Sequence, residues 1–260
     1  MRPVTPKVHL IAYPTLDHEA LHEYLTSIGV QKWTGSRIFD IDGEVLVEVG
    51  GRLCYRSWEP GLNRNVTKVR EDPAEYLGNI LKQKHGSVLE HANYSFIFQD
   101  VSRVFTHELV RHRAGAAYSQ ESMRFVRLND IPFWFPDWAR EDEELMRNAE
   151  GLLIEMEDFQ RWMAEHFGLD DEGVPFSEKK HKTSFMRRFA PEGVATNILA
   201  TFNIRTLRHI IAMRTSLGAE EEIRLVFDKV AELALGAVPS LMQDYNRNED
   251  LEWVPEFLKV

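Results

Sequence analysis

The chain has 260 residues with a single cysteine, and 41 Asp and Glu against 31 Lys and Arg give a formal net charge of −10. Aromatics at 11% and apolar residues at 43% exclude a disordered chain, and one cysteine excludes an intrachain disulfide framework or a cysteine-based zinc cluster. The length fits one domain over residues 1–260. The acidic balance speaks against nucleic-acid binding, and the absence of a leader-like run or roughly 18 consecutive apolar residues predicts a soluble cytoplasmic protein with no membrane contact.

Residues 7–12 read as an opening strand, and residues 18–28 as a helix with Leu21, Tyr24, Leu25 and Ile28 at helical spacing. Residues 38–49 set Ile, Phe, Val and Leu between acids, which suits a strand or hairpin. After GRLCYRSW (residues 51–58) comes a loop rich in Gly, Pro and Asn. Asp72 caps a helix over residues 73–84, whose apolar face holds Tyr76, Leu77 and Ile80. Residues 92–101 alternate apolar and polar groups as a strand does, and Ser102 caps a helix running to about residue 113.

Two prolines break the run IPFWFPDW at residues 131–138. Residues 141–166 form a long amphipathic helix with an acidic first turn. Further helices cover residues 176–188, 204–215 and 219–235, and a mostly acidic tail closes the chain. Strands early and helices late indicate an α+β chain and not a doubly wound one. There is no Gly-x-Gly-x-x-Gly after a strand and no Walker loop, so side chains and helix ends would have to hold any phosphorylated ligand.

Charge is uneven. Between residues 101 and 127 lie Arg103, Arg111, Arg113, Arg124 and Arg127 against only Glu108 and Glu121. Guanidinium forks match phosphate oxygens. The triplet Arg111, His112, Arg113 is followed by small residues, AGAA, and then by YSQESMR, where Ser119, Gln120 and Ser122 can donate hydrogen bonds. Two further basic groups hold Lys179, Lys180, Lys182, Arg187 and Arg188, and Arg205, Arg208 and Arg214; Lys179 to Lys182 read as a solvated helix face. A serine hydrolase lacks its nucleophile elbow here. His107 and His112 are five residues apart, which turns the second imidazole about 140° away on a helix, so no metal site is expected. Arg205 and His209 share a helix face. Asn203 and Arg214 return to another, and polar groups on two sides of one helix suit a subunit interface.

With those segments in order, the sequence resembles the flavin-dependent thymidylate synthases, the ThyX family. The signature Arg-His-Arg followed by seven or eight residues and Ser stands here as RHRAGAAYSQES, with Ser122 after eight; GRLCYRSW, HGSVLEH, THELVRHR, YSQESMRF and FNIRTLRHIIAMRTS match as well, from about residue 51 to 235. The resemblance implies a ThyX-like fold, an antiparallel or mixed sheet with a long-helix bundle. It implies conversion of dUMP to dTMP with 5,10-methylenetetrahydrofolate as carbon donor and NADPH as reductant through bound FAD, without an enzyme nucleophile. It also implies a homotetramer whose active sites are shared between subunits.

The same resemblance carries residue roles. Ser87 and Glu90 fall in the flavin-side loop, and His85 where flavin and folate meet. Arg111, His112 and Arg113 contact FAD or dUMP, with Glu108 and Arg111 on the nucleotide side. Gln120, Glu121, Ser122, Met123 and Arg124 wrap dUMP, Gln120 also reaching the cofactor, and Arg187 binds dUMP. Asn203, Arg205 and His209 bind flavin. Arg214 favours ionisation of the uracil at N3. Arg214, Ser122 and His85 are thus the catalytic candidates, Ser122 as a binding group and not a nucleophile.

Two departures stand out. The eight-residue spacing puts one more residue into the loop before Ser122 than the commoner form has. The late motif commonly carries His four residues beyond the matched arginine, where this chain has Gly218. Cys54 in GRLCYRSW reads as packing or flavin-side lining. A different flavoprotein reductase, a non-catalytic nucleotide binder and a helical scaffold are the competing readings; the Arg, Gln and Ser concentration around Arg111 suits the scaffold poorly.

Overall fold

Four strands pair in the order Lys7–Ala12, Asn93–Ser102, Ala195–Asn203, Ala116–Gln120, so the two inner strands come from distant parts of the chain. The computed structural model describes residues 1–35, 40–258 and 260. Along Asn93–Ser102 the residues Tyr94, Phe96 and Phe98 are buried with exposed or half-buried residues between them, the period-two pattern of a sheet with one face on a core. The α+β expectation holds. The segregation of strands to the first half does not, because inner strand Ala195–Asn203 follows the long helices.

Met1–His9, Ile97–Arg111 and Tyr118–Leu199 make one compact unit. Its 24-residue helix, Glu143–His166, starts where Asp142 Oδ1 accepts the amides of Glu144 and Leu145 at 3.1 and 2.9 Å. Leu128, Ile131, Phe135, Leu153 and Val194 form one core cluster in it, and Met163, Ala164, Leu169 and Met186 another. Buried Glu157 accepts the Ile131 amide at 2.7 Å, which satisfies a polar group inside that core.

Leu10–Phe96, His112–Ala117 and Ala200–Val260 make the other unit. Helices His18–Ser27, Pro73–Lys82 and Glu221–Ala237 lie close to their expected positions, and Asp72 Oδ1 caps the second by accepting from Glu75 N at 2.6 Å. The expected strand or hairpin over residues 38–49 is wrong from residue 42 onward, where helix Asp42–Tyr55 runs; residues 38 and 39 lie outside the described residues. The alternating acids misled because they are buried or half-buried and partnered. Glu44 accepts from Ser240 N at 2.6 Å and from its Oγ at 2.8 Å, and burial holds its carboxyl above the usual range. Glu48 pairs with Arg52 one turn on at 2.7 Å, both about 1% exposed. Gly51 lets this helix close on its neighbour, since a Cβ there would lie 2.6 Å from Tyr76 Oη.

The cap at Ser102 is present, Oγ accepting from Phe105 N at 3.0 Å, but the helix it starts ends at Leu109 and not near residue 113. Tyr118 Oη donates to the Leu109 carbonyl at 3.0 Å and satisfies one of the open carbonyls of that helix end. The Arg-His-Arg triplet therefore lies beyond the helix, in a turn. That turn closes at Gly115, with φ +66°, where a Cβ would lie 2.2 Å from Asn203 Nδ2. No helix among the described residues is long and apolar enough to cross a membrane.

Candidate active site

The expected site residues fall into two groups, one in each unit, and each has its own geometry. In the unit containing Leu10–Phe96 the organising element is helix Ile204–Arg214. Asn203 caps it, Oδ1 accepting from Thr206 N at 2.8 Å, so its oxygen is committed to the helix and only its amide nitrogen is left for a ligand. Thr206 Oγ1 donates to Ala114 O at 2.7 Å and Asn203 N to Gly115 O at 3.0 Å, which stitches the turn holding His112 and Arg113 to this helix start. The expected common face of Asn203 and Arg214 is not what joins them to the site: one residue caps the helix and the other ends it.

At the far end, Arg214 Nε donates to His112 Nε2 at 2.9 Å. The His112 ring lies 6.1 Å from that of His209, edge to face. Burial, then the Arg214 charge, then His209 push the His112 imidazole from 6.5 down to about 4. Arg214 in the last turn is favoured by the helix field. One face further back, Arg205 Nη1 donates to Glu90 Oε1 at 2.6 Å and its Nε to the Val260 carbonyl at 2.9 Å. Arg205 and His209 are both exposed. Ser87 and Glu90 are exposed on the short 3₁₀ helix Gly86–Glu90, directly after His85.

His85 also lines a cavity of about 320 Å³ with Tyr55, Asn65, Lys68 and Asn79. Its ring stacks on Tyr55 at 5.5 Å. Arg52 forms another part of this wall, donating to Ser57 O and Arg70 O at 2.6 Å each while its guanidinium lies 4.2 Å from the Tyr76 ring. Cys54 is exposed, so it does not serve as a packing residue.

In the unit containing Tyr118–Leu199, the loop after strand Ala116–Gln120 is tied down at several points. Gln120 Nε2 donates to Thr106 Oγ1 at 3.2 Å. Glu121 accepts from Asn197 Nδ2 at 2.8 Å and from Asn197 N at 3.1 Å, while its own amide donates to Asn197 O at 3.1 Å. The half-buried Met123 side chain packs against the core around Leu128. Thr183 Oγ1 donates to the Arg124 carbonyl at 2.9 Å. Ser122 Oγ accepts from Arg124 N at 3.4 Å, and among the described residues no histidine bonds to it, so nothing there activates it as a nucleophile.

Arg127 and Arg161 of this unit pair with Asp170 and Asp158, whereas the candidate arginines stay open. Arg124 Nε is buried with no hydrogen-bond partner among the described residues. The Arg111 and Arg187 side chains are exposed and unpaired among them. Glu108 precedes Arg111 by three residues, and the Arg111 amide donates to its carbonyl at 3.4 Å. Arg103 is the residue that sequence reasoning passed over. It is half-buried, and burial first, then the Arg187 charge, hold its guanidinium below the usual range, with Glu192 acting the other way. The clue was available: Arg103 belongs to the same arginine-rich run. Among the described residues no group of three or more His, Cys, Asp or Glu is arranged to hold a metal, His107 and His112 included.

A mixed α/β chain with a sheet, long helices and arginine-rich loops has a counterpart among solved structures. The UMP/dUMP methylase PolB from Streptomyces cacaoi, solved bound with 5-Br UMP, matches with a TM-score of 0.61 at 16% identity, over 92% of this chain and 93% of that one, a likeness of fold. Residues 38–240 match the family model described as "Thymidylate synthase complementing protein". Relatives named flavin-dependent thymidylate synthase from Mycolicibacterium gilvum (strain PYR-GCK) and Mycobacterium sp. (strain JLS) are 34% identical over 209 residues and 36% over 213, each covering 78% of this chain and 80% of the relative. The chain belongs to the flavin-dependent thymidylate synthases.

Proposed function

We propose that the protein methylates dUMP to dTMP with 5,10-methylenetetrahydrofolate as carbon donor and NADPH as reductant, using FAD, and that it works as a homotetramer with shared active sites. The observation that carries the reading is the hydrogen bond between Arg214 and His112. It joins the two most distinctive family segments, 102 residues apart in sequence, at 2.9 Å.

The donor sets suit the ligands. In the unit with Tyr118–Leu199, Arg111, Arg124 and Arg187 offer unpaired guanidiniums, and a dianionic phosphate accepts bidentate bonds from such forks. Because the 120–124 loop is pinned through the Gln120 side chain to Thr106 and through its backbone to Asn197 and Thr183, the stem of Arg124 is placed before substrate arrives, which lowers the ordering cost on binding. In the other unit, Arg113 and Ser87 are exposed without hydrogen-bond partners among the described residues, and Arg205, His209 and the amide of Asn203 lie along one helix. That is a donor set for an anionic dinucleotide such as FAD. The bound flavin would supply hydride to the transferred one-carbon unit.

The residues of the chain supply binding and charge. Arg214 lends positive charge to a uracil carbonyl and N3 as negative charge develops there, which stabilises the activated pyrimidine without a covalent bond to the protein. His85, stacked with Tyr55 along the cavity, would receive the folate beside the flavin. Ser122 binds and does not attack, and Cys54 lies outside the segments that wrap dUMP.

The purified protein should show flavin absorption, oxidise NADPH in a dUMP-dependent way, and form dTMP only when methylenetetrahydrofolate is added. Protein that neither binds added FAD nor forms dTMP sinks the reading. Light scattering on the eluted peak should give four copies. Ser122→Ala should retain turnover; complete loss with folding and dUMP binding intact would restore a serine nucleophile.

A further inference from the structure

We propose that His112 is a positioning residue for Arg214, and that the hairpin after residue 244 holds the same arginine from its backbone side. The inference rests on the role given to Arg214 above but assigns His112 work other than touching a cofactor. An arginine stays protonated and its Nε–H can only donate. The 2.9 Å bond to His112 Nε2 therefore requires a lone pair on that nitrogen, so the imidazole is neutral and carries its proton on Nδ1. A charged His112 would lose the bond and set two cations against each other. Committing Nε to a fixed acceptor sets the plane of the guanidinium, and with it the direction of its outer nitrogens.

The backbone side is equally defined. Thr215, 1% exposed, follows Arg214 directly. Its Oγ1 donates to Ile211 O at 2.9 Å and accepts from Trp253 N at 2.9 Å. Two residues later Leu217 N donates to Glu252 Oε1 at 2.9 Å. Trp253 is fixed in turn, its Nε1 donating to Asp228 Oδ1 at 2.8 Å. Tyr245–Arg247 and Trp253–Pro255 pair antiparallel, so Trp253 arrives at the helix end on a defined strand, with Glu252 directly before it held by Asn248. This hairpin lies C-terminal to the stretch that matches the family. Arg214 is thus gripped at its side chain by one segment and at its helix end by another, which is how a reacting group is kept within a fraction of an ångström of its working position.

The test uses the full chain loaded with FAD, with flavin occupancy measured for every variant. His112→Ala should lower kcat about 10- to 100-fold at saturating FAD, the loss expected for one charge-assisted hydrogen bond, while the FAD dissociation constant changes less than about threefold. His112→Gln, whose amide oxygen can accept from Nε, should recover much of that loss. Thr215→Val should lower kcat about threefold to tenfold with KM for dUMP nearly constant, and Thr215→Ser should restore it. Nitrogen NMR of histidine-labelled protein should show His112 Nε2 unprotonated at pH 7 and that preference relaxed in Arg214→Ala. An Nε2–H tautomer in the unsubstituted protein, or a His112→Ala variant whose defect vanishes when FAD is raised to saturation, overturns the proposal. If Arg214→Ala itself retains full turnover, the failure lies instead with the role given to Arg214.

Discussion

The two groups of candidate residues solve the problem of holding charge in opposite ways. On helix Ile204–Arg214 the arginines already have acceptors within the protein: Arg214 Nε has His112, Arg205 has Glu90 and the Val260 oxygen, and Arg208 has Asp244 at 2.7 and 2.9 Å. Around the 120–124 loop the backbone is satisfied and the cations are not, with Arg124 Nε buried and unpartnered among the described residues. The first has protein acceptors in place before any ligand binds. The second is completed by the ligand, and its open guanidiniums act as a counter-ion deficit that a phosphate fills. An acidic chain can therefore be built around nucleotide anions, because its net charge says nothing about where the unpaired arginines stand.

Substitutions that cut only one group test this contrast. The largest effect is on stability: Asp244→Ala strands the buried Arg208 charge and should cost about 3–5 kcal/mol in urea unfolding. A loss under 1 kcal/mol would mean the pair is not closed as described. Arg214→Ala should lower kcat about 100- to 1000-fold, the cost of one electrostatic donor at the reacting group, with FAD still bound by absorption. Arg124→Ala should weaken dUMP binding about 10- to 100-fold by calorimetry and leave FAD affinity unchanged. An equal effect on both ligands would erase the division between the groups.

The smallest effect is a pH dependence. His112 ionises near pH 6.5 in the unfolded chain and at about 4 in the folded one. Between those values the unfolded state holds the extra proton, so this group's contribution is fully present above pH 6.5 and fades as pH falls toward 4. His112→Gln should flatten the stability profile in that window. An unchanged slope would show that the imidazole is not buried beside Arg214.

The sequence revealed most where local chemistry and tertiary packing ask for the same thing. Asp72 and Ser102 sit before apolar periodic runs and cap the helices that follow. It misled where buried polar pairs imitate another period. Glu44 and Glu48 look like the polar face of a strand, and only Ser240 and Arg52 explain why a helix buries them. Strand Ala195–Asn203 went unassigned because its partners are about a hundred residues away in sequence, as the Ser95–Thr201 hydroxyl contact at 2.8 Å illustrates. In the site, the motifs supplied candidates but not the geometry around each. That His112 accepts from Arg214, that Asn203 spends its oxygen on a cap, and that Arg103 stands by Arg187 are facts of long-range geometry.

The Arg52 clip has a consequence for how this protein can change. Its guanidinium binds the loop through the carbonyls of residues 57 and 70, backbone atoms that any side chain at those positions would supply equally well. Between those ends Trp58 is the buried anchor, 4% exposed and edge-on to Trp33 at 4.9 Å. The wall of the cavity beside His85 is thus fastened by backbone at two points and by one indole, so side chains such as Asn65 and Lys68 can change without loosening the clip that a single buried arginine provides.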